Sequence, residues 1–236
     1  MFAVERLEFT ILMLTAIIVA AGSSQRMGFD KLFAPLGGRP VVAHAIDAFE
    51  QTPSVDEIIL VGRDGRLREL QDVVRDHEFA KVRKVIPGGE RRQDSVRAGL
   101  AEAVGEFVAV HDAARPLLRP KQIEQVFEAA RRYGAAALAE PVKDTLKRVD
   151  EQNFICSSIE RERMYALQTP QIVSREVLSK AYEAIFAKNI LVTDETSAVE
   201  QFGGKVAIVT NDDFNFKITF PNDLLLAEAV LKQQRR

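Results

Sequence analysis

Three stretches of this sequence combine small residues with fixed charge. Ala20-Ala21-Gly22-Ser23-Ser24-Gln25-Arg26-Met27-Gly28-Phe29-Asp30-Lys31 sets an arginine and a lysine behind a turn of alanine, glycine and serine. Gly88-Gly89-Glu90-Arg91-Arg92-Gln93-Asp94-Ser95 repeats the combination, and His111-Asp112-Ala113-Ala114-Arg115-Pro116 adds a carboxylate and another arginine. Small residues let backbone N–H groups approach phosphate oxygens, and Arg and Lys neutralise the charge on them. Such loops suit a nucleoside triphosphate. Neither common phosphate motif is present. A dinucleotide fingerprint needs Gly-x-Gly-x-x-Gly, whereas Ser23 and Ser24 follow Gly22. A P-loop needs Gly-Lys-Ser/Thr after four intervening residues, whereas Gly28 comes after five and precedes Phe29. On shape alone the first turn also fits a tight strand-to-helix connection.

What is missing narrows the chemistry further. The chain has 236 residues, with 47% hydrophobic and 28% charged, a globular composition that excludes disorder, collagen-like repeats and a disulfide framework. Its lone cysteine, Cys156, cannot form an internal disulfide or a zinc or redox pair, which fits a reducing cytoplasm. A formal charge of −2 gives no global pull toward nucleic acid or anionic membrane, so any basic site must be local. His111 has no other histidine nearby in sequence and reads as a packed or hydrogen-bonded structural residue.

The elements that must position these loops alternate between strands and amphipathic helices, the pattern of a parallel sheet with crossover helices. Strands are expected at Thr15–Ala21, Glu57–Val61, Val82–Ile86, Phe107–Val110, Ala135–Val142 and Val206–Val209. Helices are expected at about Pro40–Glu50, Arg66–Asp76, Gln93–Ala103, Pro120–Tyr133, Arg175–Ala187, Asp194–Gln201 and from Asn222 onward. Pro120 sits at the first helical turn, where proline is tolerated. Thr145–Val149 and Phe154–Ser158 flank the polar turn Asp150-Glu151-Gln152-Asn153 and read as a projecting β-hairpin. No linker separates two domains. The expectation is one α/β domain over residues 13–236 with an arm at about 144–170. Ligands on open parallel sheets bind at the carboxyl ends of strands, where all three charged loops fall. Ile11–Ala21 is too short to span a bilayer and reads as a buried strand rather than a targeting signal. Met13 follows a twelve-residue segment, so residues 1–12 read as an extension, with either Met1 or Met13 as the start.

The joint pattern carries a resemblance. Ala-Ala-Gly-x-x-x-Arg-Met-Gly-x-x-Lys after the first strand is similar to nucleotidyltransferases that build activated sugars and alcohols. Adding Gly-Gly-x-x-Arg-x-x-Ser-Val, Val-His-Asp-Ala-Ala-Arg-Pro, Asp144-Thr145-Leu146-Lys147-Arg148, Gln168-Thr169-Pro170-Gln171, Thr193-Asp194-Glu195 and Asn215-Phe216-Lys217-Ile218-Thr219, the chain resembles the 2-C-methyl-D-erythritol 4-phosphate cytidylyltransferases. The resemblance runs from about Thr15 to Leu231.

The resemblance implies a Rossmann-like, mostly parallel sheet with flanking helices and a projecting β-hairpin arm. It implies transfer of CMP from CTP to a polyol phosphate with release of pyrophosphate, in the non-mevalonate route to isoprenoids. Arg26 and Lys31 would stabilise the pentacoordinate transition state, joined by Arg161, Lys217 and Mg²⁺. The backbone of Ala20, Ala21 and Gly22, with Gly89 and Ser95, would hold the cytidine triphosphate. Asp112, Ala113 and Arg115 would lie beside the nucleotide, with Asp112 near the ribose and the magnesium-bound phosphates. Thr145, Arg161, Thr169 and Lys217 would position the polyol phosphate. A substrate phosphate oxygen already carries negative charge, so no activated His or Cys is needed. The resemblance also implies a homodimer, in which the arm supplies polyol-site residues across a two-fold axis. Ribitol 5-phosphate cytidylyltransferase is the alternative within the same chemistry, and a non-catalytic nucleotide-binding protein is the alternative outside it. Of the remaining residues, Asp194 and Glu195 read as a helix cap rather than a carboxylate pair. Cys156 reads as a small packing residue, Arg91 as solvated, and Arg92 as the arginine that matches the family pattern. Asp112 has a plainer reading as the cap of the turn before Arg115.

Overall fold

Alternating apolar residues along the first strand, Leu14–Ala20, bury two faces at once, and that alternation sets the layering. A computed structural model describes residues 13–22 and 28–234. The expected extension at residues 1–12 and the candidate Arg26 lie outside the described residues. β1 (Leu14–Ala20) is followed by a small antiparallel pair, β2 (Pro35–Leu36) and β3 (Arg39–Pro40), and by α1 (Val41–Glu50). Next come β4 (Val55–Gly62), a 3-10 turn at Asp64–Arg66, α2 (Leu67–Asp76), β5 (Val82–Pro87), α3 (Arg92–Glu102), β6 (Phe107–Asp112), α4 (Pro120–Tyr133) and β7 (Ala135–Pro141). The chain continues through β8 (Leu146–Val149), β9 (Ile155–Ile159), β10 (Tyr165–Ser174), α5 (Arg175–Ala187), α6 (Glu195–Gln201), β11 (Ala207–Thr210) and α7 (Pro221–Gln234).

Seven strands form one sheet in the order β11-β7-β10-β6-β1-β4-β5. The pairs β1–β4, β1–β6, β4–β5 and β7–β11 are parallel, while β10 runs antiparallel to both β6 and β7. Ala16 and Ile18 pack with Val42, Ile46, Phe49, Leu70, Ile123 and Phe127 on the face covered by α1, α2 and α4. Ile17, with Ile59 and Val61 of β4, faces Val96, Leu100, Leu178, Tyr182 and Ile185 on the other side. Each fully buried aliphatic side chain contributes about 1.5–3 kcal/mol. Proline opens α4, and Gly134 ends it in the left-handed conformation at φ +86°, where a side chain would strain the backbone. No helix among the described residues is long and apolar enough to cross a membrane.

The mostly parallel sheet and its flanking helices match the expectation, with one addition. No strand is expected at Tyr165–Ser174, yet β10 lies near the middle of the sheet. Gln168-Thr169-Pro170-Gln171 lacks a strand's usual signal, since it is polar and contains proline, which cannot donate to a ladder. The β7–β10 register breaks between Leu167 and Gln171, and this irregularity accommodates Pro170. The Thr169–Pro170 peptide is cis.

Among the described residues β8 and β9 pair only with each other, as the hairpin expected to project from the sheet. It leaves after β7 and returns as the start of β10; from Tyr165, which pairs with Pro141, the chain has rejoined the main sheet. Cys156, expected to pack, is exposed, with Sγ 3.3 Å from the carbonyl oxygen of Arg148. The reason is architectural, since no helix among the described residues covers this hairpin as helices cover the main sheet.

Candidate active site at the carboxyl edge of the sheet

Five of the parallel strands deliver a candidate loop to the same edge. Ala20 ends β1, and Ala21 and Gly22 lead out from it. Pro87 ends β5 just before Gly88 and Gly89. β6 runs two residues beyond its expected end and carries Asp112 as its last residue. The arm starts after β7, and the segment with Asn215 and Lys217 follows β11. Because β10 is reversed, it brings Thr169 to this edge as well.

Close approach explains one glycine here. A Cβ on Gly88 would lie 2.8 Å from Cβ of Ala21 and 2.5 Å from Oγ of Ser95, so only glycine lets the β1 and β5 loops meet. Ser95 is buried, and its hydroxyl accepts the Gly89 N–H at 3.2 Å. Ala113 is also buried, and its N–H donates to the Val19 carbonyl at 3.1 Å. Lys31 donates from Nζ to the Ile218 carbonyl at 2.6 Å, which brings the first loop against the segment bearing Lys217.

Asp112 is the hub. Oδ1 accepts from Nε of Arg92 at 3.1 Å, Oδ2 accepts from Nζ of Lys217 at 2.9 Å, and Nε of Arg115 lies 3.7 Å from Oδ2. Burial opposes ionisation of this carboxyl, but the charges of Arg92, Lys217 and Arg115 outweigh it and hold the group well below the usual carboxylate range. The plainer reading of Asp112 as a turn cap does not describe its side chain, since its carboxylate is taken by these cations. The turn is closed instead by the Arg115 N–H and the backbone carbonyl of Asp112.

Behind Asp112 lies a second carboxylate. Expected to cap α6 together with Asp194, Glu195 is instead fully buried and takes the guanidinium of Arg92 in a fork, with Nη1 2.7 Å from Oε1 and Nη2 3.1 Å from Oε2. The hydroxyl of Tyr182 donates to Oε1 at 3.1 Å. Capping falls to Asp194, whose Oδ1 accepts from the Ser197 N–H and the Thr196 hydroxyl. Glu195 pairs across 103 residues of sequence, so reading its neighbours as a helix start could not reveal its partner. Arg92 continues the Gly-Gly-x-x-Arg pattern, the one local signal for this half of the network. Arg91 faces away and pairs with Asp94 at 2.8 Å in a half-exposed position.

Thr169 joins the hub from below. Its Oγ1 accepts the Asp112 N–H at 3.1 Å and lies 2.9 Å from Nδ1 of His111. Nε2 of His111 lies 3.2 Å from the Arg115 carbonyl, which can only accept, so Nε2 carries the proton and Nδ1 accepts from Thr169. Burial pushes His111 down to about 4, so the ring is neutral near pH 7. Its place is structural, as its sequence context suggests. The Lys217 segment is held by amides: Nδ2 of Asn215 donates to Gln168 Oε1 at 3.1 Å and to the Thr169 carbonyl at 2.8 Å, while Arg115 donates to the Asn215 carbonyl at 2.8 Å. Gln168 and Asn215 each lie in a motif of the family pattern, but their pairing spans 47 residues.

The edge therefore gathers Lys31, Asp112, Ala113, Arg115, Thr169 and Lys217, with the Gly89 and Ser95 loop beside Ala21. It does not gather Thr145 or Arg161. Both are exposed on the arm, where Arg161 donates to the carbonyl of Lys143. Among the described residues no group of three His, Cys, Asp or Glu side chains could cage a metal ion. Asp112 is a single carboxylate with lone pairs remaining. That donor set fits Mg²⁺ brought in on phosphate oxygens, the usual mode for an ion that binds through one or two carboxylates plus substrate.

The chain is similar to known proteins over nearly its whole length. The sequence model of the 2-C-methyl-D-erythritol 4-phosphate cytidylyltransferases matches residues 14–233. The enzyme of that name from Dehalococcoides mccartyi strain CBDB1 is 41% identical over 222 residues, covering 93% of this chain and 96% of the relative. Its namesake from Bacillus licheniformis is 42% identical over 223 residues, covering 93% and 96%. Among solved structures, 4-diphosphocytidyl-2C-methyl-D-erythritol synthase of Anaerococcus prevotii superimposes with a TM-score of 0.83 at 30% identity, covering 94% of this chain and 99% of the other. The Thermus thermophilus cytidylyltransferase gives 0.76 at 30% identity, covering 92% and 98%. With its sequence matched from β1 into α7 and its fold shared over nearly the same span, the chain belongs to the 2-C-methyl-D-erythritol 4-phosphate cytidylyltransferase family.

Proposed function

We infer that this chain transfers CMP from CTP to 2-C-methyl-D-erythritol 4-phosphate, giving 4-diphosphocytidyl-2-C-methyl-D-erythritol and pyrophosphate on the way to isoprenoid precursors. The observation that carries the reading is the cluster of Arg92, Arg115 and Lys217 around Asp112 at the carboxyl edge, in a chain of this family. An oxygen of the polyol phosphate attacks the α-phosphorus of CTP. A new P–O bond forms as the bond to the bridging oxygen of the β-phosphate breaks, and pyrophosphate leaves. The nucleophile arrives as an anion, so no protein base is needed. The task of the protein is to bring two anions into line and stabilise the charge that develops.

In this reading Arg26, Lys31, Arg161 and Lys217 act on the phosphates. Ala20, Ala21, Gly22, Gly89, Ser95, Asp112, Ala113 and Arg115 hold the cytidine triphosphate. Thr145, Arg161, Thr169 and Lys217 position the polyol phosphate. The contact of Lys31 with Ile218, next to Lys217, supports a shared role for the two ammonium groups. Asp112 would hold Mg²⁺ together with triphosphate oxygens, and the ion when bound supplies further charge neutralisation.

Residues from about 13 onward form one catalytic domain in this proposal, a division supported by the span of the family match. The arm pairs two copies of the chain and carries Thr145 and Arg161 to the neighbour's polyol site. Exposure of Val149, Phe154 and Ile155 supports this, because an isolated two-stranded hairpin is marginal in water. A single cysteine suits a reducing compartment, and we place the enzyme in the cytoplasm. A pyrophosphate-release assay with CTP and Mg²⁺ tests the activity, comparing methylerythritol 4-phosphate with ribitol 5-phosphate. Preference for the first is expected. Preference for ribitol 5-phosphate would change the acceptor, and inactivity with both would remove the reading.

A further inference from the structure

We propose that Glu195 is a positioning residue for this transfer, acting through Arg92 and Asp112 on the ammonium group of Lys217. The proposal rests on the function inferred above and extends it to a fully buried carboxylate behind Asp112. Four links make the path: Tyr182 to Glu195, Glu195 to Arg92, Arg92 to Asp112, and Asp112 to Lys217, at 3.1, 2.7, 3.1 and 2.9 Å. The links come from α5, α6, α3, β6 and the segment after β11, so the path crosses a helical layer to reach the carboxyl edge.

Geometry gives Glu195 its leverage. A guanidinium is planar, so a carboxylate that grips both Nη atoms fixes the direction of Nε as well. Nε is the atom that meets Asp112. The backbone of Glu195 is held too, since its N–H donates to Oε1 of Gln171 at 3.0 Å. Charge gives a second reason. Arg92 keeps its proton under all ordinary conditions and is mostly buried, so it needs a counter-charge. With Glu195 in place that need is met, and Asp112 can share its second oxygen with Lys217. Without it, Arg92 draws on Asp112 with both arms and competes with Lys217. Helix capping does not account for a buried acid here, because Asp194 already performs it.

The test is a double-mutant cycle on the full chain. Glu195→Gln keeps the size and removes the charge. It should lower kcat by about 10²-fold, the scale on which a misplacement of about 1 Å acts, and change KM for CTP far less than kcat. Combined with Lys217→Gln, it should add little to the loss from Lys217→Gln alone, because the group it positions is gone. Tyr182→Phe leaves the charge in place and should cost less than Glu195→Gln. If Glu195→Gln does not fold, Glu195→Asp, which withdraws the carboxylate by one methylene, takes its place in the cycle with the same expectation. Losses that multiply with Lys217→Gln, or a Glu195 effect confined to KM for CTP, overturn the proposal while the function stands. Lack of pyrophosphate release by the unaltered chain overturns the function, and the proposal with it.

Discussion

The carboxyl edge and the arm both have parts in the proposed reaction but are built by opposite means. At the edge, Asp112 and Glu195 are buried and matched by Arg92, Arg115 and Lys217, so each side chain is held by several partners. On the arm, Thr145 and Arg161 are exposed at the base of a two-stranded hairpin whose apolar residues Val149, Phe154 and Ile155 face solvent in the single chain. Function and stability are therefore entangled at the edge and separable on the arm. The difference teaches that a preorganised charge cluster is held by burial and countercharge, whereas a hairpin without a covering layer leaves its apolar residues exposed in the single chain.

The largest effect should come from Asp112→Asn, which leaves three cations around a neutral amide. Turnover should fall about 10³-fold, and urea denaturation should show a loss of about 3 kcal/mol. The acid dependence has a definite sign. The folded-state carboxyl titrates below its unfolded value, so its contribution is complete above the ordinary Asp range and shrinks as pH falls below it. The gap between wild type and variant should accordingly close in strong acid. A variant with normal stability at pH 7 would show that the edge, like the arm, separates function from stability.

Lys31→Ala and Arg26→Ala should each lower pyrophosphate release by about 10²- to 10³-fold. Near-wild-type release from either would remove that residue from the catalytic set. Next, Arg161→Ala should raise KM for the polyol phosphate by about tenfold, the worth of one charge-assisted hydrogen bond, and leave the melting temperature unchanged. An unchanged KM would detach the arm from the site. His111 probes stability beneath the edge. Its pKa falls from 6.5 unfolded to about 4 folded, so the neutral ring favours the fold, and stability is lost as pH drops through that window. Between pH 6.5 and 5 the loss should be about 1.5 kcal/mol in wild type and absent from His111→Gln. Smallest of all, Cys156→Ser on the exposed arm should change stability by no more than about 0.5 kcal/mol.

Much of the edge is legible in the chain itself. Glycine and cation spacing marks the loops after β1 and β5, and the residues after β6 carry Asp112 and Arg115 in one short motif. Those signals are local, as are the strand and helix periods and the turn at Asp150–Asn153. Glu195 is hidden for a definite reason: a Thr-Asp-Glu run at a helix start has a sufficient local explanation, and its true partner is a guanidinium on another helix. Cys156 misleads for a related reason, since small apolar residues in strands pack only where a second layer covers them.

Strand and helix alternation, the small-residue and cation spacing of the loops and the kinship of the chain follow from residue order alone, because hydrophobic period and turn chemistry act over a few neighbours. Tertiary structure decides what spans the chain. It inserts β10 backwards between β6 and β7, so that Thr169 meets Asp112. It joins Arg92 to Glu195 across 103 residues and Lys217 to Asp112 across 105. Such pairs form because burying a charge is tolerable only beside its opposite, and which opposite is at hand depends on how the layers close.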